Sequence, residues 1–208
     1  MQFLPLLSLF FIGKCSAQTQ FDATGQAGIL NAHNNMRSSI AKGTYVVQGS
    51  TKPAGANIYK LKWNATLAYS AQNWANQCKV NYSATPGVGE NIIAYFTTDL
   101  IGDLNPYGSM ASASWERKFE TYGWPSNVFN MTSIATATLM AWANTYSIGC
   151  GVKNCGKTYN GSNWVMVTCQ YYPRGNYIMQ NIYNTGLTCS QCPSGSTCET
   201  ATGLCVKP

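Results

Sequence analysis

Between residues 26 and 40 the apolar residues Ile29, Leu30, Met36 and Ile40 share one helical face with His33 and Arg37, and Gly43 stands just beyond as a stop. A loop rich in Gly, Ser and Pro follows over residues 43 to 57. Asn64 is placed as the N-cap of a helix over residues 64 to 80, in which Leu67, Ala71, Trp74 and Cys78 fall on one face. Residues 83 to 109 are punctuated by Gly and Pro and predict mostly loop. A third helix is expected over residues 110 to 122, with Ala111, Trp115 and Phe119 inward and Gly123 and Pro125 ending it. Ile134, Thr138, Ala141 and Trp142 form a fourth helical face. The period then changes to alternation: residues 148 to 152 and 164 to 172 predict strands joined through Tyr159-Asn160-Gly161, with a further strand within 177 to 183. Helices first and antiparallel strands after predict an α+β fold.

The chain opens on an apolar run, residues 3 to 12, followed by Cys15-Ser16-Ala17, which predicts a signal peptide over residues 1–17 and hence secretion. The run is too short to span a membrane. Cleavage after Ala17 removes Cys15 and leaves eight of the nine cysteines, an even number that in an exported chain predicts four disulfides. Spacing alone leaves about a hundred connectivities open. From Cys189 to Cys205 the composition shifts to Cys, Ser, Thr, Gly and Pro, too little to build a core, so residues 186–208 read as a disulfide-held appendage to a domain over 18–185.

The formal charge is +6, without the clusters of basic and aromatic residues that nucleic-acid binding needs. Four sequons, at Asn64, Asn81, Asn130 and Asn160, predict exposed and glycosylatable positions in an exported protein.

The stretches AHNNMR (32–37), GEN (89–91), MAWANTYSIGCG (140–151) and VTCQYYPRGNY (167–177) together resemble the CAP superfamily of cysteine-rich secretory, antigen-5 and pathogenesis-related proteins. LKWNATLAYSAQNWANQC and the tail GLTCSQCPSGSTCETATGLC are similar to the secreted CAP proteins of nematodes. The resemblance implies a three-layer α-β-α sandwich with a short cysteine-rich hinge. It also implies the pairs Cys78 with Cys155, Cys150 with Cys169, Cys189 with Cys198, and Cys192 with Cys205.

Many CAP domains hold a divalent ion between two histidines and two glutamates, imidazole nitrogens binding the metal and carboxylates orienting water or ligands. In this chain the corresponding positions carry Tyr82, Glu90, Lys118 and Thr136, so three of the four are replaced. The chain has one histidine in total, His33, which excludes a two-histidine site within it. His33 beside apolar residues reads as a satisfied core group. Two alternatives remain for the surviving carboxylate: an ion pair of Lys118 with Glu90 assisted by the Tyr82 hydroxyl, or Lys118 in solvent and Glu90 bonded to backbone amides.

The expected function is therefore a secreted, non-enzymatic binding module without metal or cofactor. Its ligand is expected to be a sterol or fatty acid, with Ile92, Ile93, Tyr95, Phe96 and Leu100 of a variable loop read either as its groove or as ordinary core packing, or an extracellular protein partner. Metal-dependent hydrolysis is the alternative, weakened by the replaced ligands.

Overall fold

The structure, a computed structural model, describes residues 21–208; the expected signal segment lies outside the described residues. Asp22 starts the first helix, α1 (Ala23–Ala41), by accepting the N–H groups of Thr24 and Gly25. Ile29, His33, Met36, Arg37 and Ile40 are its buried face, so the face expected from periodicity is the one that packs. A short hairpin, β1 (Val46–Val47) and β2 (Ser50–Thr51), leads to β3 (Lys62–Trp63), and Asn64 caps α2 (Ala65–Ala75). Then come β4 (Gly89–Thr97), α3 (Pro106–Glu116) and α4 (Lys118–Tyr122). A 3-10 turn (Thr132–Ile134) runs into α5 (Ala135–Ala141), and the long strands β5 (Ser147–Lys157) and β6 (Asn163–Tyr172) follow. The tail closes with β7 (Thr197–Glu199) and β8 (Leu204–Val206).

Four strands form the central sheet in the order β3-β5-β6-β4, with β3 parallel to β5 and the other pairs antiparallel. α2 covers one face over β5 and β6, while α1, α3 and α5 pack together on the other, giving three layers around one core. The α2 layer sits unusually close. A Cβ on Gly149 would lie 2.1 Å from the Ala68 backbone nitrogen, and one on Gly151 2.3 Å from the Gln72 Cα. Only glycine in the strand and small or flat groups on the helix allow that approach. The buried face of α2 is accordingly Ala68, Ala71, Gln72 and Ala75; of the expected face through Leu67, Ala71, Trp74 and Cys78, only Ala71 is buried. Gln72 completes the seam, its amide bonding both the carbonyl (2.8 Å) and the N–H (3.0 Å) of Val152.

Three further expectations are corrected. Residues 89–97, read as loop, are a nine-residue strand paired throughout with β6. The strand expected within 177 to 183 is instead an irregular segment running beside residues 127–129, where Ile182 N–H bonds the Asn127 carbonyl and only Val128 and Asn181 form a bridge. The elements also interleave, β3 and β4 preceding α3, so the order is not helices then strands.

The disulfides join Cys78–Cys155, Cys150–Cys169, Cys189–Cys198 and Cys192–Cys205. The tail is bound to more than itself: Leu204 and Cys205 are fully buried, Cys205 N–H bonds the Ile58 carbonyl, Lys60 N–H bonds the Cys205 carbonyl, and Lys60 pairs with Glu199 at 2.8 Å. It shares the main core.

Candidate functional site

Alternation along β4 sends Glu90 and Asn91 to opposite faces of the sheet. Asn91 points into the core and donates to the Thr136 carbonyl (2.9 Å) and the Tyr171 hydroxyl (3.3 Å). That hydroxyl donates in turn to Nε2 of His33 (2.9 Å), whose Nδ1–H donates to the Ile29 carbonyl at 2.8 Å. The chain of bonds ties β4, α5, β6 and α1 together. Burial holds the His33 imidazole neutral, its pKa lowered to about 4, with the Arg37 charge adding to the effect.

Arg37 is itself fully buried, with no carboxylate partner among the described residues. Its guanidinium donates to five carbonyls, those of Tyr59, Met140, Trp142, Ala143 and Thr145, and fixes the turn after α5. Burial lowers its pKa to about 9, so it stays charged at neutral pH. His33 and Arg37 are therefore framework residues.

On the other face, the Glu90 carboxylate is committed. It accepts the Ser83 N–H (2.7 Å), the Ser83 hydroxyl (2.8 Å) and the Gln170 amide (2.9 Å). These bonds fasten the segment after α2, in which Ala84 adopts a φ of +56°, and the Arg174 N–H bonds the Gly87 carbonyl at 3.2 Å. A cleft of about 250 Å3 results, lined by Tyr82, Ser83, Thr85 and Glu90 on one side and Leu139, Arg174 and Asn176 on the other. Asn176, at φ +58°, is held by Thr138 Oγ1 (2.8 Å) and donates to the Ala135 carbonyl (2.7 Å). The Arg174 guanidinium lies 4.9 Å from the centre of the Tyr177 ring and is exposed.

Of the four positions expected from the resemblance, Tyr82 and Glu90 line this cleft, whereas Lys118 and Thr136 do not. The Thr136 hydroxyl turns to the Trp115 carbonyl at 3.5 Å. Lys118 Nζ lies 5.4 Å from the centre of the Tyr122 ring. Among the described residues the ion pair within 4.0 Å is Lys60 with Glu199, so Lys118 and Glu90 do not pair; nor is Glu90 held by backbone alone. Ser83, Thr85, Gln170, Arg174 and Asn176 are site residues that sequence reasoning did not single out, although the last three stand in VTCQYYPRGNY.

The proposed apolar set does not enclose a cavity. Ile93 and Tyr95 pack onto the core, Phe96 stacks on Trp164 at 5.8 Å while remaining 63% exposed, and Leu100 is 94% exposed. Ile92 borders a recess of about 180 Å3 with Val80 and Tyr82. Among the sequon residues Asn81, Asn130 and Asn160 are exposed, and Asn64 uses its Oδ1 to cap α2. The described residues that converge as potential metal ligands are Cys189, Cys192 and Cys205, all in disulfides. No helix among the described residues is long and apolar enough to cross a membrane.

Comparison with known proteins agrees with this architecture. The family model "CAP: Cysteine-rich secretory protein family" matches residues 30–171. Ancylostoma secreted protein of Ancylostoma caninum is 34% identical over 94% of this chain and 47% of its own length. Venom allergen 5 of Vespula maculifrons is 34% identical over 76% of this chain and 70% of its own. The solved structure of BmVAL-1 superposes with a TM-score of 0.82 at 31% identity, covering 91% of this chain and 97% of that one. Na-ASP-1 superposes at 0.80 and 35% identity over 93% of this chain and 49% of that one. The chain thus spans about half the length of Ancylostoma secreted protein and of Na-ASP-1. It is a secreted, disulfide-bonded protein like these relatives, and with the family model covering residues 30–171, it belongs to the cysteine-rich secretory protein, or CAP, family.

Proposed function

We propose that this CAP domain is a non-enzymatic binding module whose cleft recognises an extracellular protein partner. The observation that carries this reading is the commitment of both Glu90 oxygens to Ser83 and Gln170. A divalent ion needs free, convergent donors. Lys118 and Thr136 do not line the cleft, Tyr82 brings only a phenol to it, and the single imidazole is bonded at both nitrogens in the core. The residues do not fit the metal that related domains hold.

At this cleft and the recess beside it, size favours a protein partner over a sterol or fatty acid; a third recess, of about 400 Å3 beside Lys52, Tyr122 and Trp124, is open to solvent as well. Enclosed ligand sites run from roughly 300 to 1,000 Å3. The cleft, about 250 Å3, and the recess beside Ile92, about 180 Å3, are smaller and open. An open cleft with Tyr82, Asn176 and the Arg174–Tyr177 pair at its rim is suited to a side chain or loop of another protein. The direct test measures binding of extracellular proteins to immobilised wild type and to Arg174→Ala and Tyr82→Ala variants. Specific capture of a partner, weakened by both substitutions, supports the reading. Saturable uptake of a labelled sterol or fatty acid with no protein partner overturns it in favour of lipid carriage.

A further inference from the structure

The hairpin between β5 and β6 turns on Thr158-Tyr159-Asn160-Gly161, which contains the chain's one Asn-Gly pair. Gly161 N–H bonds the Thr158 carbonyl at 3.0 Å, Thr158 N–H bonds the Ser162 carbonyl at 2.8 Å, and Gly161 takes a φ of +87°. That left-handed step suits glycine and closes the turn between two twisted strands. Asn160 and Gly161 are exposed, and beyond its chain neighbours no heavy atom lies within 4 Å of where a Gly161 Cβ would stand. The Asn160 side chain is held at one atom. Its Oδ1 accepts the Thr158 hydroxyl, while its Nδ2 makes no hydrogen bond among the described residues.

These features suit one reaction. The Gly161 backbone nitrogen gives up its proton to hydroxide and attacks Cγ of Asn160, closing a five-membered succinimide; the Cγ–Nδ2 bond breaks, and Nδ2 takes up a proton and leaves as ammonia. Water then opens the ring, at Cγ to give aspartate or at the backbone carbonyl carbon to give isoaspartate. Glycine leaves the attacking nitrogen unscreened by a side chain, and the bonded Oδ1 polarises the amide carbon while the leaving nitrogen is free. The bond from Gly161 N–H to Thr158 opposes the step and has to open first, but a single exposed bond at a hairpin tip opens readily.

We propose that Asn160 is a site of spontaneous deamidation in chains that carry no glycan there. The same residue opens the sequon Asn160-Gly161-Ser162, and a glycan on Nδ2 replaces the small leaving group and blocks ring closure. Asn160 thus has two exclusive fates. Glycosylated, it stays an amide; bare, it gains a negative charge in the turn that follows Lys157 and, as isoaspartate, an additional atom in the backbone. The turn stands at the far end of the strands from the Glu90–Gln170 contact, since β6 from Asn163 to Gln170 spans roughly 23 Å. The modification therefore stands or falls independently of the binding function proposed above.

The test incubates secreted wild type and Ser162→Ala, which loses the sequon but keeps Asn160-Gly161, in isotopically labelled water at neutral and mildly alkaline pH. Any glycan is then released in ordinary water, and peptide mapping by mass spectrometry follows the label. In Ser162→Ala, Asn160 should take up label ahead of every other asparagine, mostly as isoaspartate and faster at the higher pH. Its rate should be roughly two- to tenfold below that of the reduced, denatured chain, as opening of one exposed bond implies. Glycosylated wild-type chains should carry no label at Asn160, and unoccupied ones should convert like the variant. Asn160→Gln, which closes no five-membered ring, should abolish the main acidic form that ion exchange resolves with time. Label appearing first at another asparagine, conversion to aspartate alone, or equal labelling of glycosylated chains overturns the proposal.

Discussion

Lowering the pH should destabilise this protein through one residue. His33 is the only histidine in the chain, and its environment is closed on every side: Ile29 and Arg37 from α1, Ser112 from α3 at 3.5 Å, and the Tyr171 hydroxyl from β6. Its folded pKa, lowered to about 4 chiefly by burial, lies below the ordinary 6.5 of an unfolded chain. Between those values the unfolded state binds the proton and the folded state does not, so stability is complete above 6.5 and is lost as pH falls toward 4. Linkage across this interval gives about 3 kcal/mol in all, and about 2 kcal/mol of it by pH 5. Urea unfolding of the disulfide-intact protein at pH 7.5, 6 and 5 measures the loss. Glu116, whose pKa burial raises, works in the opposite direction, so the difference between wild type and His33→Gln isolates the imidazole. The single histidine ring resonance offers a second readout, which should not titrate between pH 8 and 5. A midpoint near 6.5, or the same slope in His33→Gln as in wild type, refutes the reasoning.

Other substitutions probe the framework and the cleft. Arg37→Leu orphans five buried carbonyls at about 1–3 kcal/mol each, as much as a domain's whole stability, so secretion of folded protein should fail; Arg37→Lys, with three donors, should be recovered in lower yield. Gly151→Ala drives a methyl into the backbone of α2 and should cost about 3 kcal/mol or more, read by thermal unfolding, whereas an unchanged melting temperature would show that the helix yields freely. Glu90→Ala removes three bonds to Ser83 and Gln170, and amide exchange at residues 83–85 should accelerate roughly ten- to a hundred-fold while β5 and β6 stay protected.

Sequence periodicity revealed α1 and the α3–α4 region because their buried positions follow a helical repeat cut off by Gly43 and Gly123. It misplaced the face of α2 because the deciding residues, Gly149 and Gly151, lie some eighty positions away and admit only small groups. β4 was hidden by the Gly and Pro around it, though Ile92, Ile93, Tyr95, Phe96 and Thr97 are all strand-favouring types. The family motifs located Tyr82 and Glu90 in the cleft. They could not show that Ser83 and Gln170 occupy the carboxylate, since those contacts depend on the path of the chain after α2 and on the register of β4 with β6. Nor could they show that Lys118 turns to Tyr122, a local contact one helical turn away.

The central claim is that Glu90 serves as a fastening for the cleft wall and that the cleft takes no divalent ion. Titration calorimetry of tag-free protein with zinc at neutral pH tests it most directly. No saturable heat at micromolar zinc is expected, for wild type and Glu90→Ala alike. One-to-one zinc binding that Glu90→Ala abolishes would contradict the account.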